Sequence, residues 1–203
     1  SGDPPAELYL RWFQMAAFMP FFRTHSAIGT ARREPWVYGE PYTEIIREFM
    51  RLRQQLLPYF YTLAWEASRT GHPWLRPLWW ADAEDSKLWQ VDDAFLVGNA
   101  LLVAPALAED QDIRDLRLPE GRWYSFWDKT TYQGPGNVDL PVSLERIPLL
   151  VRAGSVLPLA DGDHLALHVY APYGKVMQAS PQQLYSDSGD GYGAQRVDTF
   201  QVS

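Results

Sequence analysis

Cysteine is absent from the 203 residues, which removes disulfides, thiolate nucleophiles, CxxC redox pairs and every Cys-ligated zinc site. Long apolar runs are missing too. The longest uncharged stretch of the apolar N-terminal part lies between Arg11 and Arg23, well short of the ~20 residues a membrane span requires. Positive charge is in deficit: 18 Lys and Arg stand against 25 Asp and Glu, for a net charge of -7. Nucleic-acid affinity comes mainly from Lys and Arg on phosphates, so this balance speaks against such a partner. No signal peptide is visible, and the N-terminus, Ser1-Gly2-Asp3-Pro4-Pro5, reads as a cut or processed end. The compartment is left open, since a chain without thiols suits either redox environment. Hydrophobic residues at 46% and charged residues at 21% give an ordinary globular balance. At ~150 residues per domain this is one large domain or two small ones. What the chain has in abundance is aromatic surface, 9 Trp, 11 Tyr and 9 Phe. Such rings serve as core residues and as platforms for the C–H faces of sugars.

The pattern divides near His72. Before it, Asp3 and Pro5 can open a helix in which Leu8, Trp12, Met15, Ala16 and Met19 recur at helical spacing, ended by Pro20. Phe21 and Phe22 then lead into Arg23-Thr24-His25, which reads as a buried strand turning polar where it emerges at a site. Residues 26–40 form a loop. A second helix over 42–69, kinked at Pro58, carries the apolar stripe Ile45, Phe49, Leu52, Leu56, Phe60, Leu63 and Ala67 and stops at Gly71. Beyond His72 the period becomes 2, and strands are expected at 74–80, 95–104, 113–118, 122–127, 147–157, 165–170, 183–186 and 196–202. Turns are read at Pro119-Glu120-Gly121, Gly134-Pro135-Gly136, Ala153-Gly154 and 188–191. A seam between strand-rich stretches is read at Leu159-Ala160-Asp161-Gly162-Asp163.

Several chemistries lack their residues: there is no GxSxG, HExxH, GxxxxGK[ST] or GxGxxG. His164 and His168 alternate with Leu165, Leu167 and Val169, so they read as the solvent face of a strand and not as metal ligands. The stretch from Asp187 to Gly191 resembles a calcium loop only loosely, because Gly189 stands where an oxygen donor is needed. Asp92-Asp93 and Asp82-Ala83-Glu84-Asp85 offer paired carboxylates of the kind glycosidases use, and equally the solvated acids of polar turns. His25, at the end of its short strand beside Arg23, is open to reading as a supporting histidine or as a functional one.

The run from Glu7 to His25, Glu7-Leu8-Tyr9-Leu10-Arg11-Trp12-Phe13-Gln14-Met15-Ala16-Ala17-Phe18-Met19-Pro20-Phe21-Phe22-Arg23-Thr24-His25, closely resembles the late catalytic-barrel segment of glycoside hydrolase family 31. Further similarities follow in register at Arg53-Gln54-Gln55-Leu56-Leu57-Pro58-Tyr59, Arg76-Pro77-Leu78, Asp93-Ala94-Phe95-Leu96-Val97-Gly98, Leu101-Leu102-Val103-Ala104-Pro105, Gly121-Arg122-Trp123-Tyr124, Ile147-Pro148, Arg152-Ala153-Gly154-Ser155 and Leu184-Tyr185-Ser186-Asp187-Ser188-Gly189. Thr30-Ala31-Arg32-Arg33-Glu34-Pro35-Trp36 is most similar to the α-glucosidase and glucosidase II type members.

The resemblance implies a mixed α/β and all-β chain. Residues 1–76 would be the last part of a (β/α)8 TIM barrel, 77–160 a proximal C-terminal β-sandwich domain and 161–203 the beginning of a distal β domain. It implies retaining hydrolysis of α-glucosides through two Asp residues, both on earlier barrel strands and absent from this chain, so no catalytic residue is assigned here and the fragment alone is expected to be inactive. His25 corresponds to the family's sugar-binding histidine, with Arg23 beside it as the second substrate-binding candidate. No cofactor and no metal are implied. The expected partners are an α-glucoside or oligosaccharide and the missing N-terminal part of the barrel, with no nucleic acid and no membrane. Two alternatives stay open, a non-catalytic carbohydrate-binding or structural β module and a family member acting on α-xylosides.

Overall fold

A computed structural model describes residues 4–173, 182–189 and 193–202. The expected helical cap at Asp3 and the expected turn residues Asp190 and Gly191 lie outside these. Three helices come first, α1 (Ala6–Ala16), α2 (Tyr42–Gln55) and α3 (Leu57–Thr70). They are followed by β1 (Leu75–Arg76), β2 (Phe95–Val97), β3 (Leu101–Val103), β4 (Ile113–Ser125), β5 (Thr131–Pro141), β6 (Leu149–Arg152), β7 (Val156–Asp161), β8 (His164–Val169), β9 (Gln182–Asp187) and β10 (Gln195–Phe200). The change from helical to strand periodicity near His72 is therefore where the architecture changes.

Six strands make one antiparallel sheet in the order β1-β2-β3-β6-β4-β5. Period 2 assigns its faces. Val97, Leu101, Val103, Leu149 and Val151 point to the helices and join Phe49, Leu56 and Phe60 in one core. Leu96, Leu102, Leu150, Leu116, Leu118 and Trp123 point the other way, onto Leu78 and Leu88 of two short 3-10 turns. Both faces of the central strands are thus dry, which accounts for runs such as Leu101-Leu102-Val103, buried at every position.

The stripe expected along the second helical stretch is the buried one: Ile45, Phe49, Leu52, Leu56, Phe60 and Leu63 are all in the core. The helix is not continuous, however. It breaks at Leu56, and Pro58, expected to kink it, occupies the first turn of α3, where a missing N–H costs nothing. Gly71 ends α3 in the left-handed conformation at φ +78°.

Other expectations need correction. In α1 the buried face is Tyr9, Leu10, Arg11, Phe13 and Gln14. The stripe read from the sequence lies on the opposite side, with Trp12 56% exposed, so the helix is apolar on two faces and this chain covers one. Residues 21–25 form no strand; Phe21, Arg23, Thr24 and His25 are exposed coil, because a short apolar segment becomes a strand only beside another strand. Pro119-Glu120-Gly121 and Gly134-Pro135-Gly136 are not turns. They face each other inside the β4–β5 ladder, where Leu118 pairs Gly136 and Gly121 pairs Gly134 across a bulge. The sequence reading consequently missed β5.

The polar stretch 159–163 closes a hairpin, in which β7 and β8 pair from Val156↔Val169 to Asp161↔His164. The histidines of β8 are exposed as expected, but so are Leu165, Leu167 and Val169. Gly98, at φ +61°, turns β2 into β3 so close to α3 that a Cβ there would stand 2.4 Å from the Tyr59 hydroxyl and 2.6 Å from Leu63.

Candidate functional site

Arg23 and His25 lie on the segment that leaves α1, and three devices fix where it starts. Arg53 of α2 donates from Nη1 to the carbonyls of Ala17 and Met19 at 2.6 and 2.8 Å, satisfying the open end of α1. Its guanidinium also lies 4.9 Å from the Phe22 ring, and burial lowers its pKa. Phe22 in turn packs edge-on against Phe13 at 4.9 Å. From Phe22 onward the chain projects outward into solvent.

The two predicted residues then meet. Arg23 Nη2 lies 3.3 Å from His25 Nδ1. A guanidinium has only donors, so Nδ1 is the acceptor in this contact and Nε2 carries the ring proton as a donor. Arg23 is also stacked over Phe21, 5.0 Å from the ring centre. The far side of the loop is held by Arg33, whose Nη1 donates to the His25 carbonyl at 3.4 Å. The Arg33 carbonyl accepts from the Tyr9 hydroxyl of α1 at 2.7 Å. Burial, reinforced by Tyr38 and Glu34, pushes the Tyr9 phenol up to about 12. It therefore stays a donor throughout the neutral range.

Between this loop and the uncovered face of α1 lies an open cleft of about 360 Å³, bounded by Leu8, Trp12 and Ala16 on one side and Arg23, His25 and Arg33 on the other. Arg33 Nε and Glu34 Oε2 are buried beside it without a hydrogen-bond partner among the described residues. An apolar wall with convergent polar groups is the usual make-up of a ligand site. Chemically it offers one imidazole N–H, two guanidinium groups and a tryptophan, a set suited to binding hydroxyls and unable to supply a nucleophile.

The paired acids lie elsewhere, and Asp82, Asp85 and Asp93 among them are already engaged. Asp93 bridges Arg114 at 2.5 Å, Asp85 bridges Arg117 at 2.6 Å and caps a 3-10 turn through Lys87 N, and Asp82 accepts from Glu120 N. Tyr9, Arg33 and Arg53 were not singled out from the sequence. Arg53 opens one of the motifs quoted above, and Arg33 sits within another, but single-residue reading gives no means of telling a side chain that grips a carbonyl from one on a solvated face.

Comparison with known proteins agrees with the segments that carried the resemblance. Residues 1–63 match the glycosyl hydrolases family 31 TIM-barrel domain, and residues 71–157 match the glycosyl hydrolase family 31 C-terminal domain. The chain is 36% identical to alpha-glucosidase 2 of Bacillus thermoamyloliquefaciens over 97% of its own length and 26% of that protein. Among solved structures it superposes with a TM-score of 0.91 and 31% identity on an ER glucosidase II heterodimeric complex of catalytic subunit and regulatory-subunit binding domain, covering 100% of this chain and 23% of that one. A Flavobacterium johnsoniae dextranase complexed with isomaltotriose gives a TM-score of 0.83 and 33% identity over 91% of this chain and 24% of that one. The chain therefore spans about a quarter of the length of these relatives. With both of its halves matched in order, barrel portion first and sheet portion second, the chain belongs to glycosyl hydrolase family 31.

Proposed function

We propose that this chain is the sugar-binding late wall of a retaining α-glucosidase active site, with His25 and Arg23 contacting or shaping the reactive-sugar subsite. The observation that carries this reading is the Arg23–His25 pair, whose contact through Nδ1 leaves His25 Nε2–H as a donor at the edge of an open cleft. In such a reaction a carboxylate attacks the anomeric carbon through an oxocarbenium-like transition state, an acid protonates the leaving oxygen, and water then hydrolyses the glycosyl-enzyme. A neutral imidazole donor adds binding to a ring hydroxyl, and a bond that tightens as the sugar flattens lowers the barrier.

The carboxylates belong to barrel strands outside these residues. In support, Asp85 and Asp93, one from each acidic pair read in the sequence, are held in ion pairs. The uncovered stripe of α1, with Trp12 exposed, is then the surface that the rest of the barrel meets. Residues 1–76 are read as the barrel end, 77–160 as the proximal β-sandwich and 161–203 as the start of a distal β domain.

A second reading, a β module that only binds carbohydrate, is favoured by tryptophans exposed in the sheet half, Trp89 at 61% above all. One experiment separates them: hydrolysis of a chromogenic α-glucoside by the full-length protein and its His25→Ala variant. Loss of one binding contact to the transition state is expected to lower kcat/KM about 10- to 1000-fold, read beside a thermal melt of both proteins so that a folding defect is told apart from a lost contact. Turnover unaltered by the substitution overturns the assignment of His25.

A further inference from the structure

A second cleft, of about 710 Å³, lies where α3 meets the β domain. It shares no lining residue with the cleft at His25. Its wall carries Glu66 from α3, Trp80 and Asp82 from and after the first 3-10 turn, Asn99 from the β2–β3 turn, Glu120 from the β4 bulge and Arg152 from the end of β6.

One buried side chain organises much of this wall. Arg76 is 2% exposed, donates to the Pro73 carbonyl at 2.9 Å, to Asn99 Oδ1 at 2.5 Å and to Glu66 Oε1 at 3.0 Å, and lies 5.5 Å from the Trp80 ring centre. His72 closes on the other side, 3.3 Å from Glu66 Oε1 and edge-on to Trp80 at 5.6 Å. Because Arg76 occupies the Asn99 oxygen, the amide nitrogen of Asn99 and the second oxygen of Glu66 have no hydrogen-bond partner among the described residues, leaving a donor and an acceptor for a ligand. Trp80 is held in place yet 38% exposed. Across the cleft Asp82 is fixed by Glu120 N at 3.3 Å. Arg152 makes no carboxylate ion pair among the described residues; its Nη2 donates to the Glu120 carbonyl at 3.5 Å, and its Nε is buried without a partner among them.

We infer that this cleft binds a neutral oligosaccharide at a site separate from the one that carries the reaction. The charge pattern selects the ligand. Three carboxylates repel an anion, and Arg76 and Arg152 disfavour a cation, whereas sugar hydroxyls donate and accept at once and use both sets. The rigid face of Trp80 suits the C–H face of a pyranose. The volume is that of an ordinary small-ligand site and the polar groups are preorganised, which limits the ordering cost of binding. This inference rests on the proposed function for the choice of glucose oligomers as probe and for the second binding event expected at the His25 site.

The test is a titration of the full-length protein with thio-linked, non-hydrolysable maltotriose, followed by calorimetry and by saturation transfer to the sugar protons. Two binding events are expected. The His25→Ala variant keeps the event at this cleft, and Trp80→Ala and Asp82→Asn each weaken it about tenfold, the order of one lost ring or hydrogen-bond contact. Asp82→Asn keeps shape and volume, so it decides the matter should Trp80→Ala impair folding. Affinity within about twofold of the parent in both variants overturns the inference, as does inorganic phosphate displacing the sugar, which would make Arg152 an anion site. Failure of the full-length protein to hydrolyse an α-glucoside would sink the proposed function and leave this binding result standing.

Discussion

Asp187 shows how a single half-buried residue ties the two halves together. Its Oδ2 accepts from the hydroxyls of Tyr61 on α3 and Tyr185 on β9, both at 2.7 Å, and its Oδ1 from Gly189 N at 2.8 Å. Trp65 stacks flat on Tyr185 at 5.2 Å, and Tyr185 N donates to Thr62 Oγ1 of α3 at 3.0 Å. The hydrogen bonds from Tyr185 and Tyr61 hold the Asp187 carboxyl below the usual range. The same bonds to Asp187 push Tyr185 up to about 12 and raise Tyr61. The sign follows from linkage. A depressed carboxyl stabilises the fold above its unfolded value of about 4 and loses that contribution as pH falls further; a raised phenol stabilises up to about pH 10 and loses it as pH rises through the folded value. The latch is thus intact between those limits. Asp187→Asn is expected to lower the melting temperature at pH 7 and to flatten the acid limb of the stability curve below about pH 4, read by circular dichroism. An acid limb as steep as the parent's would show that Asp187 is an onlooker.

At the scale of elements, the β4–β5 ladder makes the sharpest prediction. Gly134 has no unusual φ, yet a Cβ there would lie 2.0 Å from the Pro119 carbonyl oxygen and 2.9 Å from its carbon. The bulge opposite brings backbone against backbone, and a backbone oxygen cannot swing aside. Gly134→Ala should therefore cost at least the ~1–3 kcal/mol of an overpacked core site, whereas Gly136→Ala, with open space at its Cβ, should cost far less; urea unfolding of the two variants checks the difference. The same geometry explains why this part was illegible in the sequence. Gly134-Pro135-Gly136 and Pro119-Glu120-Gly121 each carry turn chemistry, and only their being opposite one another makes them a bulge. Where burial alone decides, the reading worked: the stripe from Ile45 to Leu63 is core, whereas the single strand expected over 95–104 is two antiparallel strands, Phe95–Val97 and Leu101–Val103, turned at Gly98. It failed where the covering surface lies outside the chain. In α1 two apolar faces compete, and periodicity cannot say which one these 203 residues bury. For the proposed site, the motif resemblance pointed to Arg23 and His25, and the structure places their side chains next to each other. Arg33, Tyr9 and Arg53, which hold that loop through backbone carbonyls, leave no pattern in side-chain spacing.

On the scale of the whole molecule, the exposed apolar surface is too concentrated to be incidental. Around α1 and the following loop, Trp12, Phe21 and Trp36 are 56%, 71% and 65% exposed, and on β8 Leu165, Leu167 and Val169 are open as well. Single exposed apolar residues are normal, but contiguous ones mark a surface that another surface covers. In the family 31 assignment the first patch belongs to the barrel portion, and its neighbours are the same orphaned groups, Arg33 Nε and Glu34 Oε2. Burial of Trp12 by the rest of the barrel would remove about 2–3 kcal/mol of unfavourable hydration, and that stabilisation is withheld from the isolated 203 residues. The isolated chain is therefore expected to bind a hydrophobic dye and to self-associate at micromolar concentration, with Trp12→Lys plus Phe21→Lys reducing both. In the full-length protein the same pair of substitutions should instead lower stability, because the proposed rest of the barrel would bury these positions. A light-scattering and thermal-melt comparison reads both signs. An isolated chain that stays monomeric and dye-free would mean that α1 needs no partner, and with it the reading of these helices as one wall of a larger barrel would fall.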